Sequence, residues 1–279
     1  MTFKSLELDK TFETEKELFK GLKENKTEII NLKKSQIQKS FEKGLNVNLP
    51  KGLKLINSEK NLELDENFEY VAVNTTKILD SHRDLHVKGI WNKTVKDQQG
   101  KNYLVLDHEL KMSSVIVKKG DVEMFVAEIP FSSVGKNYLG SCEALIYKFP
   151  KEKIVNELAK DWLESGSGIE ASVRMQYVTI KLAMNSIEPE DEEEYKCYLE
   201  YINQIANKSD FENISYFWVV TEAKNIGESS LVLQGSNSAT GSLKINSEPF
   251  ENTQKQEPPQ GTSKKSLNYL SISKKLKLN

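Results

Sequence analysis

The chain contains three histidines, His82, His86 and His108. Histidine is the residue type whose unperturbed side-chain pKa lies nearest to neutral pH. A general base that works at neutral pH is therefore expected among these three residues. The two cysteines, Cys142 and Cys197, have no CxxC spacing and indicate neither a disulfide scaffold nor a zinc site. We interpret both as buried thiols in a reducing compartment.

His82 and His86 are four residues apart, with Asp84 between them. On a helix this spacing would place two metal ligands on one face. However, Gly89 follows closely and the neighbouring residues have no helical pattern, so the segment is interpreted as a polar loop. We expect no metal and no cofactor, and we keep a metal-dependent hydrolase that uses His82, Asp84 and His86 as an alternative.

His108 comes directly after a predicted strand, Tyr103–Leu106, and is flanked by Asp107 and Glu109. The end of a strand is a rigid place from which to present a base. The same pattern also fits a solvated or buried histidine without a catalytic role. His108 is therefore a candidate base that requires a nucleophile beside it.

Ser172 is the serine whose position best suits a nucleophile. It lies on the polar face of an alternating strand predicted from Ile169 to Ile180, two residues before Arg174. A hydroxyl attacks a carbonyl if a base removes its proton and hydrogen-bond donors stabilise the developing oxyanion. His108 could be that base, and the Arg174 guanidinium or nearby backbone N–H groups could be those donors. No Gly-x-Ser-x-Gly motif is present, which argues against an α/β-hydrolase.

The chain divides into three zones of different composition, and the elements predicted in them would position these residues. Residues 1–50 are predicted to form a helical N-terminal arm, because Thr14 and Glu17 have the spacing of a capping box. Residues 60–234 carry most strand signals and a helix inserted at about 186–207, which begins near Pro189. Residues 235–279 are rich in Gly, Ser, Asn, Gln and Pro and are expected to be a flexible, disordered tail. The predicted fold class is α+β with a mostly β core.

The composition excludes several classes of protein. A chain of 279 residues with 38% hydrophobic residues supports one substantial core. Its net charge of -2 gives no strong field for nucleic acid or for an anionic membrane. No apolar run approaches the roughly 20 residues that a membrane-spanning helix needs, and the N-terminus lacks a secretory signal. We expect a soluble protein that is intracellular or packaged within a particle.

Three short blocks, in this order, resemble the tailed-phage prohead maturation proteases, which are related to the herpesvirus capsid protease assemblin. The first runs from Asp80-Ser-His-Arg-Asp84 through Gly89-Ile-Trp91 to Leu106-Asp107-His108-Glu109. The second is Gly168-Ile-Glu-Ala-Ser172-Val-Arg-Met-Gln-Tyr177, and the third is Gly227-Glu228-Ser229-Ser230-Leu231-Val232. The resemblance covers roughly residues 65–237 and departs from the family pattern at Arg174, where a glycine is usual.

The resemblance implies a serine endopeptidase with a barrel-like β core surrounded by helices. It implies His108 as base, Ser172 as nucleophile and Glu228 as the acid that orients the base, with Ser141 and Ser167 as other possible nucleophiles. The implied partners are the major capsid protein and a scaffold protein, with a possible homodimer and no membrane or specific nucleic acid. The implied location is the host cytoplasm, inside the viral procapsid, with self-cleavage as a further activity. A non-catalytic scaffold or capsid-associated structural protein is the alternative.

Overall fold

The computed structural model of the protein describes residues 2–39, 47–50, 55–57, 60–62, 64–165, 169–233 and 241–246. The helices are α1 (Glu15–Glu24), α2 (Lys26–Ser35), α3 (Asn92–Gln98), α4 (Glu157–Ser165) and α5 (Glu192–Tyr201). The strands are β1 (Phe3–Ser5), β2 (Lys10–Phe12), β3 (Gln38–Lys39), β4 (Val47–Pro50), β5 (Leu55–Asn57), β6 (Lys60–Leu62), β7 (Phe68–Thr75), β8 (Asp84–His86), β9 (Tyr103–Leu106), β10 (Val115–Val117), β11 (Glu123–Pro130), β12 (Ser141–Pro150), β13 (Glu170–Met184), β14 (Tyr216–Val232) and β15 (Gly241–Asn246).

Two large sheets form the β part of the fold. In the first, sheet I, the strand order is β10-β9-β14-β13-β3, and β8 pairs with the first part of β14. In the second, sheet II, the order is β4-β15-β7-β12-β11-β5-β6. Strand β14 runs antiparallel to β13 and parallel to both β8 and β9, so it connects the strands of sheet I that carry the candidate site.

The main hydrophobic core joins the two sheets. Sheet I contributes Ala171, Val173 and Leu231, and sheet II contributes Val73 and Leu145, all fully buried. The outer face of sheet I, which points away from this core, is covered near α5 by a separate cluster that includes Phe217 and Val219. Because strand residues alternate between faces, the neighbours of the core residues on β13 and β14 point to this outer face.

The α+β fold class is confirmed, whereas the predicted barrel is wrong. Within the described part of the chain, each large sheet has two different edge strands and neither sheet closes on itself. The two longest strands, β13 and β14, pair with each other over nearly their whole length. This pairing makes a long antiparallel ribbon at the centre of sheet I, which packs against sheet II through the main core. Apolar alternation alone does not distinguish that arrangement from a barrel.

The N-terminal zone begins with a hairpin of β1 and β2, so it is not entirely helical as predicted. The capping box at the start of α1 is confirmed, with the Glu17 N–H donating to Thr14 Oγ1 and the Thr14 N–H donating to Glu17 Oε2, each at 3.2 Å. The buried face of α1, which includes Leu18 and Leu22, joins the main core. These helices therefore form part of the protein's hydrophobic core.

Two other segments differ from the sequence prediction. Gly241–Asn246 lies in the zone predicted to be a flexible tail but forms β15, which pairs with β7 and β4. Alternation of Leu243 and Ile245 with polar residues is the pattern of a strand, and the polar composition around it obscures this signal. The inserted helix is shorter than predicted: a 3-10 turn at Pro189–Asp191 leads into α5. The rest of the predicted tail, 235–240 and 247–279, lies outside the described residues.

Candidate active site

His108 lies between Ser172 and Glu228. Its Nε2 is 2.7 Å from Ser172 Oγ, and its Nδ1 is 2.9 and 3.2 Å from the two carboxylate oxygens of Glu228. A carboxylate can only accept hydrogen bonds, so the contact with Glu228 places the ring proton on Nδ1. Nε2 is then the acceptor, and the Ser172 hydroxyl donates to it. The three groups therefore form a chain of hydrogen bonds from the Glu228 carboxylate through the His108 imidazole to the Ser172 hydroxyl.

The pairing of β13 with β14 brings two of these residues to one face of sheet I. Ala171 and Leu231 are cross-strand neighbours that point into the main core. Ser172 and Ser230, the next cross-strand pair, therefore point to the outer face, as does Glu228 two residues earlier on β14. Glu228 and Ser172 thus lie on the same face of sheet I, where both contact the His108 imidazole.

A tight turn after β9 carries His108 over this face. The Glu109 N–H donates to the Leu106 carbonyl at 2.9 Å, and both central residues have positive φ, 48° for Asp107 and 57° for His108. This is the pattern of a type I′ turn, for which Asn and Gly are the usual residues. Residues other than glycine are strained in this conformation, and such strain is concentrated at functional sites. The turn reverses the chain and directs the imidazole back toward β13 and β14.

Glu228 lies in an irregular part of β14. The register changes from Val173 opposite Ser229 to Met175 opposite Asn225, so three residues of β14 face Arg174 alone. Within this bulge Gly227 has φ +76°, a conformation that glycine adopts without strain. Strand β14 continues through this bulge from Tyr216 to Val232. The Glu228 carboxylate, at the end of this bulge, contacts His108 Nδ1.

The three groups are shielded from solvent. Ser172 and Glu228 are 0% exposed, and the His108 side chain is 2% exposed. In such surroundings the attraction between a carboxylate and an imidazolium is stronger than at a protein surface. The arrangement can therefore stabilise positive charge on the imidazole when the ring takes the hydroxyl proton.

The other predicted site residues have different positions. Arg174 is half-buried, and its buried Nε has no hydrogen-bond partner in the described part of the chain. The Ser141 hydroxyl donates to Glu128 Oε1 at 2.5 Å in sheet II, whereas Ser172 lies in sheet I. Ser167 lies outside the described residues. Ser172 is thus the candidate nucleophile that contacts a histidine.

His82 and His86, the pair considered as a metal site, differ in their exposure to solvent. His82 is exposed, whereas His86 is buried with Nδ1 3.2 Å from Asn74 Oδ1 and Nε2 3.2 Å from Tyr177 Oη. Burial lowers the pKa of His86 to about 4. No group of three or more His, Cys, Asp or Glu residues in the described ranges could hold a metal ion. Both ring nitrogens of His86 are already used in the protein's own hydrogen bonds.

Two residues near the site were not identified by sequence reasoning as parts of it. Ser230 Oγ accepts the backbone N–H of His108 at 2.6 Å, and Gly227 permits the bulge that carries Glu228. A glycine directly before an acidic residue in a strand pattern is a signal for a bulge. The role of Ser230 has no comparable signal, because it depends on a turn 122 residues earlier in the chain.

Comparisons with known proteins give no match: no family model, no curated protein and no solved structure matches the chain. None of the described helices has the length and apolar character needed to cross a bilayer. Assignment of a function to this site therefore depends on its geometry and on the sequence blocks that carry it.

Proposed function

We propose that this protein is a serine endopeptidase in which Ser172 is the nucleophile, His108 the general base and Glu228 the acid that orients the base. The observation that carries the proposal is the pair of contacts at His108, with Nε2 2.7 Å from Ser172 Oγ and Nδ1 2.9 Å from Glu228 Oε1. A serine hydroxyl is activated when it donates a hydrogen bond to a base and a third group orients that base by a second hydrogen bond.

The reaction would follow from these contacts. His108 Nε2 takes the Ser172 proton while Oγ attacks the carbonyl carbon of the peptide bond. Glu228 stabilises the imidazolium, which then gives its proton to the leaving amine. An acyl-enzyme is left on Ser172, and a water molecule activated by the same imidazole releases the carboxylate product. Each proton moves through His108 Nε2, because Nδ1 stays bonded to Glu228.

Arg174 is the proposed oxyanion donor. It lies two residues after Ser172 on β13, and its buried Nε has no hydrogen-bond partner among the described residues. A buried unpaired donor is costly in free energy, and a developing oxyanion would satisfy it. The planar guanidinium donates in a fixed geometry, which suits a charge that forms at one position.

The proposed biological role is maturation of a phage prohead. It is supported by the resemblance of the three blocks that contain His108, Ser172 and Glu228 to the prohead proteases. The substrates would be the scaffold protein, the major capsid protein and the protease itself, within the viral procapsid in the host cytoplasm. A possible homodimer belongs to the same proposal. Enclosure in the particle would raise the effective concentration of enzyme and substrate.

A non-catalytic scaffold or capsid-associated structural protein is the second candidate. The complete burial of Ser172 favours it, because a substrate carbonyl must reach Oγ for any reaction to occur. The protease proposal therefore requires the groups above Ser172 to move when a substrate binds. A protein without catalytic function has no such requirement, so the two candidates predict different results in a cleavage assay.

The test compares the full-length protein with its Ser172→Ala, His108→Ala and Ser141→Ala variants. Self-processing and cleavage of a fluorescein-labelled casein are measured with and without a chelator. The proposal expects cleavage by the parent and by Ser141→Ala, none by the other two variants, and no effect of the chelator. Cleavage that survives Ser172→Ala would overturn it, and loss with the chelator would support the metal-dependent alternative. No cleavage by the parent at any concentration would support the structural protein.

A further inference from the structure

We propose that Ser230 is a positioning residue for the reaction, because its side chain holds the turn that presents His108. This inference rests on the proposed function, since it assigns to Ser230 a part in presenting the same base. Ser230 lies on β14 between the acid, Glu228, and the end of the strand. It does not contact the reacting atoms in the proposed mechanism, and it would act through the backbone of His108.

The turn at Asp107 and His108 needs support because both residues have positive φ. Backbone hydrogen bonds link Asp107 N–H to the Leu231 carbonyl at 3.1 Å and Glu109 N–H to the Leu106 carbonyl at 2.9 Å. Between them, the His108 N–H donates to Ser230 Oγ at 2.6 Å. A backbone amide at the centre of a strained turn is thus satisfied by a hydroxyl from the neighbouring strand.

The position of Ser230 makes this bond relevant to catalysis as well as to folding. Ser230 is the direct cross-strand neighbour of Ser172, and both are fully buried on the outer face of sheet I. Among the described contacts of His108, its Nε2 contacts Ser172, its Nδ1 contacts Glu228 and its backbone N–H donates to Ser230. The distance between the ring and its two partners therefore depends on where the backbone of the turn is held.

Loss of the Ser230 hydroxyl would leave the His108 N–H buried without this acceptor. The turn could then relax toward ordinary φ values, and the imidazole would move relative to Ser172 Oγ. A displacement of about 1 Å at a reacting group lowers a rate by about 100-fold. We expect Ser230→Ala to lower kcat by about 10- to 100-fold and to leave KM nearly unchanged, because the substrate contacts remain.

The experiment measures kcat and KM for Ser230→Ala, Ser230→Thr and Ser186→Ala. Ser186 is a matched control, since it is also a buried serine, but it follows the end of β13 remote from Ser172, where its Oγ donates to Asp191 Oδ2 at 2.6 Å. Ser186→Ala loses a buried hydrogen bond without touching His108, so its kcat should remain near the parent value. Ser230→Thr keeps the hydroxyl and should recover most of the activity. If Ser230→Ala does not fold, Ser230→Val is compared with Ser230→Thr, because these two side chains have the same shape.

A second measurement follows the His108 Nδ1 proton by NMR. In the parent this proton is bonded to Glu228 and should give a sharp downfield resonance, which Ser230→Ala should broaden and Ser186→Ala should not. A kcat for Ser230→Ala equal to that of the parent, or an unchanged resonance, would overturn the inference while leaving the proposed function intact. If the parent shows no cleavage, the proposed function fails, and the resonance still decides whether Ser230 positions His108.

Discussion

Both carboxylate oxygens of Glu228 lie within hydrogen-bonding distance of His108 Nδ1, at 2.9 and 3.2 Å. Glu228→Gln preserves the shape of this side chain, but its amide can donate to Nδ1 and so favour the ring tautomer with the proton on Nε2. That tautomer cannot accept the Ser172 proton, so we expect kcat to fall by about 10³-fold or more. Steady-state cleavage assays check this. An activity within a few-fold of the parent would remove Glu228 from the mechanism.

Gly227→Ala tests the bulge that carries Glu228. The glycine has φ +76°, and an added Cβ would meet no atom within 4 Å, so the expected cost of about 1–2 kcal/mol comes from the backbone alone. Gly140→Ala is the matched control, because Gly140 has φ +88° and equally open surroundings. Urea unfolding should show a similar loss of stability for both variants, whereas activity should fall for Gly227→Ala alone. Equal activities would show that the bulge does not position Glu228.

His86 predicts a dependence of stability on pH. Its folded pKa of about 4 lies below the ordinary value of 6.5, so the unfolded chain binds a proton that the folded protein does not. Stability is therefore lost as the pH falls from about 6.5 to about 4, by about 3 kcal/mol from this residue. The check is urea unfolding at several pH values for the parent and for His86→Gln. The difference between the two should shrink at low pH, and a constant difference would contradict the prediction.

The ion pair of Lys33 and Asp84 is buried, with Nζ 2.6 Å from Oδ1. Lys33→Met would leave the Asp84 carboxylate without its cation, and breaking a buried pair from one side costs about 3 kcal/mol or more. Lys16→Met is the control, since Lys16 pairs with Glu188 at the surface and the loss should hardly move the urea midpoint. Equal midpoints for the two variants would show that burial does not strengthen the pair at Lys33.

Both thiols should be unreactive in the folded protein. Burial raises the pKa of Cys142 to about 12 and that of Cys197 to about 11, so very little thiolate exists near neutral pH. Iodoacetamide should therefore label neither cysteine in the native protein at pH 8 and both in urea, as measured by mass spectrometry. Cleavage activity should likewise survive the reagent. Rapid native labelling of either residue would contradict the burial on which the prediction depends.

The sequence predicted some elements of the fold well, for reasons that are local. The strand at Tyr103–Leu106 has its predicted bounds, and the capping box of Thr14 and Glu17 forms as expected. Ser172 lies on the predicted polar face of its strand, and the three proposed site residues come into contact. Alternation, capping and residue type are properties of short segments, and such properties can be interpreted without the fold.

The features that the sequence did not predict depend on contacts between distant segments. The pairing of two sheets instead of one barrel is decided by which strands are neighbours, and β14 meets strands that precede it by more than a hundred residues. The burial of Ser172 shows the same limit: alternation assigns Ser172 to the polar face of its strand but does not tell whether that face is covered. Ser230 became part of the site through a turn that local propensity disfavours, because tertiary contacts hold that turn in place.

The place of β14 in the chain has a consequence for biosynthesis. Residues 216–232 are translated after His108 and Ser172, and β14 supplies Glu228 as well as the partner strand for both β9 and β13. A nascent chain that ends before this strand has neither the acid nor the framework that aligns the imidazole with the hydroxyl. The contacts of His108 with Ser172 and Glu228 on this framework can therefore form only after residue 232 has been translated. Synthesis of β14 is thus the step of translation after which the proposed site is able to assemble.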